Sequence, residues 1–432
     1  MKKTFKITVL LCLMVLVLLT TASCDQLLDK LFVMQGDEQV TTNPNGEKAT
    51  TPPEVHTHNF GDWVTVKEPT KTEDGQKERS CSCGEKETLS VPAIGSSGLE
   101  YITYEDRTCA IMKIGTCEDV DIYIPSEIDG CKVTRIFGNA FRFCTDLKSV
   151  TIPDCVVKIG DSAFEGCTNL EKITIGKGIT TIYKEMFEGC DKLIQKENGV
   201  WYVDKWVIGC DVNLPNVNLR EDTIGIGMNA FQTSKANNII LPNSLMYING
   251  SFAMSPFITS ITIPDSVIGI DKEAFGACFK LVEVYNLSSV TLTKEDFPNA
   301  LIDIYTSADA PSKLWTDTKG YVFYEEGQTC YLMDYTGTDT ELTLPENCNG
   351  KSYVIHRNAL SHRFNLTSVI IPAEVTDIGD EVFRFCTALV DITFKGTQAQ
   401  WNSMIEDAAD WDFRTGLGSY TVHCIDGDIV KS

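Results

Sequence analysis

Apolar positions along this chain follow a pattern that returns at a fixed step. A pair of apolar residues that ends in phenylalanine recurs at Phe141, Phe164 and Phe187, at steps of 23 residues. In each case a cysteine follows three residues later, and a Leu-x-x-Val/Ile-x-Ile run, which predicts one short strand, follows the first two. Because one such unit cannot bury its own apolar face, the pattern predicts a stack of coils with a continuous core.

The same pattern returns in the second half of the chain. Complete and degenerate copies centre on Phe231, Phe252, Phe275, Leu360 and Phe383. A period in the low twenties is typical of leucine-rich repeats, whose strands form a parallel sheet. The predicted fold class is therefore an α/β-irregular, β-rich repeat solenoid with one parallel sheet, preceded by a small N-terminal β module.

Aromatic, β-rich segments divide the repeats into three blocks. The solenoid is predicted over residues 99–424, and its blocks are 99–197, 198–319 and 320–397. Residues 398–432 predict a C-terminal cap, which is the usual role of terminal units in such arrays. The stretch 287–319 fits the period poorly, so an interruption of the solenoid is expected there.

The N-terminus has the layout of an export signal. Lys2, Lys3 and Lys6 precede an apolar run over 9–19, and small residues follow. The run is too short for a membrane span of about 20 residues. Residues 1–23 are therefore predicted to be a signal peptide.

The end of this signal resembles a bacterial lipoprotein cleavage box, Thr21-Ala22-Ser23-Cys24, with threonine where leucine is more usual. The resemblance implies that Cys24 is lipidated and anchors the chain to a membrane at the outer face of a bacterial cell. An ordinary signal peptide cut near Ser23 is the alternative. Residues 24–55 are polar and lack periodicity, which predicts a flexible tether.

Residues 56–98 form a separate segment with its own candidate chemistry. An alternating run at 63–66 and a turn at Asp74-Gly75 predict a small β-hairpin module. So small a unit needs an additional source of stability, and a bound metal is one candidate. His56, His58, Cys81 and Cys83 supply imidazole and thiolate, which tetrahedral Zn²⁺ accepts together. A Cys81–Cys83 disulfide and no special role are the alternatives, because zinc cysteines are usually spaced C-x₂₋₄-C.

The net charge bears on the choice of partner, and the cysteine positions bear on whether the cysteines are thiols or disulfides. The formal net charge of −23 argues against nucleic acid as a partner, because phosphate binding needs clustered Lys and Arg. Five cysteines recur at one place in the repeat and are predicted to be small buried thiols rather than disulfides. They are Cys144, Cys167, Cys190, Cys278 and Cys386.

Catalytic patterns are missing from the sequence. Phosphate-loop, His-Glu-x-x-His and Gly-x-Ser-x-Gly motifs do not occur, and five histidines offer little general-base chemistry. We therefore predict a protein that is not an enzyme and has no cofactor other than the candidate zinc.

Side chains alternate across a strand, so the positions between core residues are expected to face outward. Outward faces of solenoid sheets are common binding surfaces. The candidate ligand-binding residues are Thr151, Lys172, Thr174, Thr262, Glu283, Tyr285, Ile370, Asp391 and Thr393. For any single threonine, a β-branched residue suited to a pleated sheet is the favoured explanation.

Two segments carry a family resemblance: Ala163 to Leu170 continuing through Ile175, and Leu366 to Cys386. They resemble the BspA-type leucine-rich repeats of bacterial surface proteins, over roughly residues 99–424. The resemblance implies surface exposure and adhesion through binding of proteins, host extracellular-matrix proteins among them. The 56–98 segment resembles small Trp- and Cys-containing modules found before such repeats, with Lys71 where a further cysteine is expected.

Two other functions remain open at this stage. One is a glycan-binding or enzyme-associated surface component, for which Trp201, Trp206 and Trp315 are the candidate stacking platforms. The other is a structural surface protein without a dedicated ligand.

Overall fold

The computed structural model describes residues 57–408, 410–412 and 420–431. The predicted signal peptide, the tether, Cys24 and His56 lie outside the described residues. The described chain divides into two compact units, one containing Cys81–Glu85 with the residues up to Gly61, the other containing Asp62–Ser80 and the chain from Lys86 onward. Within the described residues, no helix is both long and apolar enough to span a membrane.

The N-terminal strands of the larger unit form an antiparallel sheet in the order β1-β2-β3. Their bounds are Val64–Lys67 (β1), Gly75–Ser80 (β2) and Lys86–Val91 (β3). In the smaller unit, Phe60 and Cys81 form an isolated antiparallel bridge. The small β module predicted from the sequence is confirmed as a three-stranded sheet.

The solenoid strands are short, as the repeat length demands. Those of the first block are Glu100–Thr103 (β4), Thr108–Lys113 (β5), Asp121–Tyr123 (β6), Glu127–Ile128 (β7), Cys131–Ile136 (β8), Ser149–Thr151 (β9), Lys158–Ile159 (β10) and Lys172–Thr174 (β11), followed by a 3₁₀ turn at Lys184–Phe187.

The second block contains Gln195–Glu197 (β12), Val200–Val203 (β13), Trp206–Cys210 (β14), Asn216–Asn218 (β15), Gly225–Ile226 (β16), Asn238–Ile240 (β17), Tyr247–Ile248 (β18), Ser260–Ile263 (β19), Gly269–Ile270 (β20), Glu283–Asn286 (β21), a 3₁₀ turn at Lys294–Asp296, and Asp303–Tyr305 (β22). The third contains Leu314–Thr316 (β23), Tyr321–Glu326 (β24), Thr329–Tyr335 (β25), Glu341–Thr343 (β26), Tyr353–Ile355 (β27), Ser368–Ile371 (β28), Val375–Ile378 (β29), Asp391–Phe394 (β30), helix α1 at Gln398–Met404, Tyr420–Cys424 (β31) and Gly427–Lys431 (β32).

Each block carries two kinds of sheet. The Leu-x-x-Val/Ile-x-Ile strands form the outward sheets β6-β9-β11, β15-β17, β19-β21-β22 and β26-β28-β30-β31-β32. A second set starts from an antiparallel hairpin in each block and continues as short parallel strands. The β-rich solenoid is confirmed, but the prediction of one parallel sheet is incomplete, because strands of two residues such as β10 show no alternation.

Two strands pair across the block boundaries that the sequence predicts. Strand β12, at the end of the predicted first block, pairs with β13 of the second. Strand β23, within the stretch that fits the period poorly, pairs with β24 of the third. Strand β22 continues the parallel sheet beside β21, so this stretch completes one coil and then begins the next block.

The repeated phenylalanines stack into columns along the core. Ring centroids of Phe141 and Phe164 lie 5.3 Å apart, and those of Phe164 and Phe187 lie 5.9 Å apart. The second block has its own column, in which Phe231 and Phe252 are separated by 5.3 Å. In these two blocks, each of these rings is therefore buried against the equivalent ring of the next coil, as the repeat predicts.

The recurring cysteines act as hydrogen-bond donors to the preceding coil. The Sγ atoms of Cys167 and Cys190 each lie 3.0 Å from the carbonyl oxygen at the phenylalanine position one coil earlier. Cys278 makes the same contact at 2.9 Å. The prediction of thiols is confirmed for these three and for the partly buried Cys144. One disulfide, Cys330–Cys348, lies in the third block at positions where the sequence predicted nothing.

Candidate functional site

The predicted ligand-binding residues lie in register on the outward sheets. Thr151 pairs with Thr174, Thr262 with Tyr285, and Ile370 with Thr393, each on adjacent parallel strands. The structure thus brings these residues together within a block, as short columns on the sheet.

Exposure varies along these columns. Four of the residues are exposed, namely Lys172, Thr174, Thr262 and Asp391, and four are half-buried, namely Thr151, Tyr285, Ile370 and Thr393.

Asp391 lies beside His423, with 3.6 Å between its Oδ1 and the imidazole Nε2. A hydrogen bond with Asp428 raises the pKa of His423. This end of the sheet is therefore rich in acidic groups.

Glu283 departs from the sequence-based expectation that it faces solvent. Glu283 is 1% exposed, because the chain at 312–314 folds over it. Oε1 accepts a hydrogen bond from the Lys313 amide at 2.6 Å, and Oε2 accepts one from the Ser312 hydroxyl at 2.7 Å. Glu283 consequently holds the start of the third block in place and is not available to a ligand.

An aromatic pair that the sequence analysis missed lies next to this carboxylate. The rings of Tyr285 and Tyr305 are 5.0 Å apart on neighbouring strands. Burial raises the pKa of Tyr305 to about 12, so its hydroxyl is neutral at physiological pH. The run Asp303-Ile304-Tyr305 repeats the acid-apolar-tyrosine order of 283–285, and that likeness was the available sequence signal.

The three candidate tryptophan platforms differ in accessibility. Trp206 is fully buried, with its ring 6.0 Å from that of Tyr247, so it cannot stack on a ligand. Trp201 is half-buried, and the ammonium groups of Lys184 and Lys196 lie 4.5 and 4.2 Å from its ring centroid. Trp315, also half-buried, stacks on Phe323 at 4.8 Å. Intramolecular partners therefore occupy all three rings.

Three of the four predicted zinc ligands come together in the smaller unit. Ligand atoms of His58, Cys81 and Cys83 lie within 4.8 Å of one another, and the His58 Nδ1 is 3.2 Å from the Cys83 Sγ. Cys81 is buried, while the other two are exposed. Hydrogen bonds from the backbone amide and side chain of Cys83 lower the pKa of Cys81 to about 5, which favours its thiolate.

Lys71, at the position where the resembling modules suggest a cysteine, has a different partner. Its ammonium group forms an ion pair with Asp119. The side chain therefore serves an electrostatic contact within the larger unit.

A cleft of about 460 Å³ opens where the second and third blocks meet. Its lining is largely apolar and comprises Val212, Thr233, Lys235, Met254, Pro256, Phe257, Ala277, Phe279, Asn358, His362, Phe364, Arg384 and Phe385. Sequence reasoning missed this site, because its residues come from several coils of two blocks.

Five of the cleft residues occupy the same place in the repeat, two residues after the core phenylalanine position. All five have left-handed backbone, with φ near +60° in Thr233, Met254, Ala277, His362 and Phe385. In the first block that place is taken by Gly166, by Gly189 and by Phe143, which is also left-handed. A side chain there costs roughly 1–2 kcal/mol per residue, and the five such side chains of the second and third blocks all line one cleft.

An ion pair lies beneath the cleft. Lys280 is completely buried, and its ammonium group lies 2.9 Å from the Asp334 Oδ1 and 5.0 Å from the centroid of Phe257, a cleft residue. Arg363 also approaches Asp334, at 3.2 Å. Burial lowers the pKa of Lys280, while Asp334 acts in the opposite direction. The arrangement connects the two blocks at the floor of the cleft.

Stacked coils, short parallel strands and columns of Phe and Cys define a leucine-rich-repeat solenoid of about 12 turns. The chain belongs to the BspA-type family of these repeats. The BspA type Leucine rich repeat region matches it in 6 copies, over residues 121–198, 208–314 and 340–405. This is a family of bacterial leucine-rich-repeat surface proteins.

Several solved structures resemble this chain. A leucine rich cell surface protein from Faecalibacterium prausnitzii is 23% identical over 68% of this chain and 74% of that one, with a TM-score of 0.34. A leucine-rich repeat protein from Bacteroides ovatus is 18% identical over 76% and 99%, with a TM-score of 0.26. The pneumococcal vaccine antigen PcpA is 15% identical over 70% and 81%, with a TM-score of 0.29. No curated protein matches the sequence.

Proposed function

We propose that this protein is a non-catalytic adhesin, exposed on the bacterial cell envelope, that binds other proteins through the outward sheets of its solenoid. The observation that carries the proposal is the register of the outward positions. Thr262 and Tyr285, for example, lie side by side on adjacent strands and repeat at one fixed spacing. Such a regular array suits an extended protein surface better than a small molecule. Host extracellular-matrix proteins are the proposed partners.

The test is binding of a soluble form lacking residues 1–24 to immobilised matrix proteins and to a glycan array. Thr174→Arg and Thr262→Arg place a long, positively charged side chain on the outward face. Ile268→Arg is the matched control, at an exposed position outside the outward strands. Saturable protein binding that only the first two variants weaken supports the proposal. Glycan binding alone would favour the glycan-binding alternative, and no binding would favour a structural role.

Lipidation of Cys24 is the proposed means of attachment, supported by the resemblance of 21–24 to a lipoprotein cleavage box. Cys24→Ala should release the protein from the membrane fraction and abolish incorporation of labelled palmitate, whereas Cys12→Ala, within the signal, should change neither. Retention and labelling of the Cys24→Ala variant would contradict the proposal.

A bound Zn²⁺ is proposed for the smaller unit, supported by the proximity of His58, Cys81 and Cys83. One imidazole and two thiolates are a usual part of a zinc ligand set. His56, two residues before His58, is the proposed fourth ligand on sequence grounds. An ion held this way would link the chain near Gly61 to the Cys81–Glu85 segment.

Metal content distinguishes zinc from a Cys81–Cys83 disulfide. After dialysis against metal-free buffer, we expect about one zinc per chain by mass spectrometry, and a cobalt-substituted protein with thiolate charge-transfer absorption. Cys83→Ser should remove both signals, and Cys117→Ser, a cysteine outside the group, should retain them. Absence of zinc together with four fewer titratable thiols than the sequence provides, two of them in Cys330–Cys348, would establish a Cys81–Cys83 disulfide.

A further inference from the structure

The cleft between the second and third blocks has chemical features beyond its apolar lining. It holds about 460 Å³, within the roughly 300–1,000 Å³ typical of ligand pockets. The rings of Phe257, Phe364 and Phe385 all surround His362, at centroid distances of 6.0, 6.4 and 4.7 Å. Because Phe364 is 49% exposed, this aromatic cluster is accessible from solvent.

Polar atoms of the lining are biased toward hydrogen-bond donors. Lys235 is exposed, and within the described part of the chain its ammonium group makes no ion pair. Asn358 is 4% exposed, and its Nδ2 finds no acceptor among the described residues. Arg384 adds a second cation and pairs with Glu381 at 2.9 Å. No aspartate or glutamate is among the residues that line this cleft, and the Asp334 and Asp339 carboxylates of the adjoining cavity are already bound by Lys280 and by the Tyr335 hydroxyl.

Charge complementarity therefore selects the occupant. In a chain with a net charge of −23, a donor-lined cleft without carboxylates is suited to a group that brings its own. Burial lowers the pKa of His362 to about 4, so its ring is uncharged at neutral pH and serves as an apolar wall. The remaining lining suits an aromatic side chain, which is the commonest kind of anchor in protein interfaces.

Two large side chains of the cleft stand at strained backbone positions. Met254 and Phe385 carry large side chains at left-handed positions, with φ of +57° and +62°. Strain of this kind persists where the surrounding structure maintains it and concentrates at ligand-binding sites.

We propose that this cleft binds a segment of a partner protein that presents an aromatic side chain beside a carboxylate. The inference rests on the proposed protein-binding function and names a second contact surface for it, apart from the outward sheets. Lys235 and the Asn358 amide meet the carboxylate, and the aromatic side chain packs against Phe257, Phe364 and Phe385.

A first test uses 8-anilinonaphthalene-1-sulfonate, an aromatic anion, and its uncharged analogue N-phenyl-1-naphthylamine as fluorescent probes of the intact soluble chain. Phe364→Ala and Met254→Gly should weaken both probes at least about tenfold, as loss of an anchor contact predicts. Lys235→Met should weaken only the anion. Phe143→Gly is the matched control, because Phe143 occupies the same left-handed place with φ +59° but lies in the first block, outside the cleft.

Thermal melting separates binding from stability. Since glycine suits a left-handed position, Met254→Gly should keep or raise the melting temperature while it loses the probe. A lower melting temperature in that variant, or equal probe binding by all variants, would overturn the proposal.

The deciding experiment compares two peptides by saturation-transfer NMR, Ac-Glu-Phe-Phe-Glu-NH₂ and Ac-Lys-Phe-Phe-Lys-NH₂. The acidic peptide should bind at least about fivefold more tightly, and Lys235→Met should remove that preference. Equal affinities, or no binding of the acidic peptide at millimolar concentration, would refute the cleft assignment. Either of these failures concerns the cleft alone and leaves matrix binding by the outward sheets unaffected. Conversely, loss of matrix binding in the Thr174 and Thr262 variants leaves the peptide result unaffected.

Discussion

The ammonium group of Lys280 lies 2.9 Å from the Asp334 carboxylate, and both side chains are buried. Lys280 also donates a hydrogen bond of 3.0 Å to the carbonyl oxygen of Ala359. Lys280 belongs to the last coils of the second block, whereas its partners Asp334 and Ala359 belong to the third. A charged contact therefore joins two blocks whose hydrophobic cores are separate clusters.

Removal of this lysine should destabilise the solenoid strongly. Lys280→Met leaves Asp334 buried with only Arg363 as a charged partner, and loss of one member of a buried pair costs about 3–5 kcal/mol. We expect the lower end of that range, measured as a fall in melting temperature by calorimetry. Lys272→Met, at an exposed position, is the control.

A double variant tests whether the pair acts as a unit. Lys280→Met with Asp334→Leu should cost clearly less than the sum of the two single changes, because neither charge is then left without the other. Additive losses would show that the two side chains stabilise the fold independently.

Acid should weaken the third block through His356. Burial lowers the pKa of His356 to about 4, and the positive charges of Arg357 and Lys280 act in the same direction. Between an ordinary value of 6.5 and about 4, the unfolded chain binds the proton and the folded chain does not. Stability therefore falls as pH falls through that window, by at most about 3 kcal/mol.

His356→Asn retains a donor for the Arg357 carbonyl and cannot titrate. Its melting temperature should fall less than that of the wild type between about pH 7 and about pH 4.5. His423→Asn should behave in the opposite way, because the pKa of His423 is raised and its protonated form stabilises the fold. Equal pH dependence in wild type and His356→Asn would contradict the assignment.

The cysteine column should tolerate serine. Ser255 already occupies this place in one coil, with its hydroxyl 2.8 Å from the Phe231 carbonyl oxygen. Cys278→Ser should therefore lie within about 1 kcal/mol of the wild type, whereas Cys278→Val, which removes the donor, should be the less stable variant by chemical denaturation. Greater loss with serine than with valine would show that the site demands apolarity alone.

Thiol chemistry checks the same column in a second way. Burial raises the pKa of Cys278 to about 12, so its thiolate is scarce at neutral pH. The folded protein should leave Cys278 unreacted with Ellman's reagent, and denaturant should expose it. Cys83, which is exposed, provides the reactive reference if the metal is absent.

The phenylalanine column should be the most sensitive part of the core. Phe164→Ala removes a fully buried ring that packs between Phe141 and Phe187, and such changes cost about 3–5 kcal/mol. Phe143→Ala, which removes a ring that is 62% exposed, should change the unfolding free energy by less than about 0.5 kcal/mol. Similar losses in both variants would contradict the column as the main source of stability.

The sequence alone determined the architecture and the residues of its core. A residue such as Phe164 or Cys167 returns at a constant step, and in a stack of coils a constant step places each copy against the last. The same regularity placed Thr262 and Tyr285 side by side on the outward face. The sequence also predicted that His58, Cys81 and Cys83 form one site, because imidazole and thiolate groups bind zinc together.

Only the tertiary structure decided the features made between blocks. Burial of Glu283 depends on the chain at 312–314, and the Lys280–Asp334 pair joins residues separated by 54 positions. The cleft likewise depends on how the third block begins against the second. A local repeat specifies contacts between neighbouring coils, because they recur at one spacing. It carries no information about a junction where the repeat stops and starts again, and there side-chain packing and charge pairing decide which residues are buried.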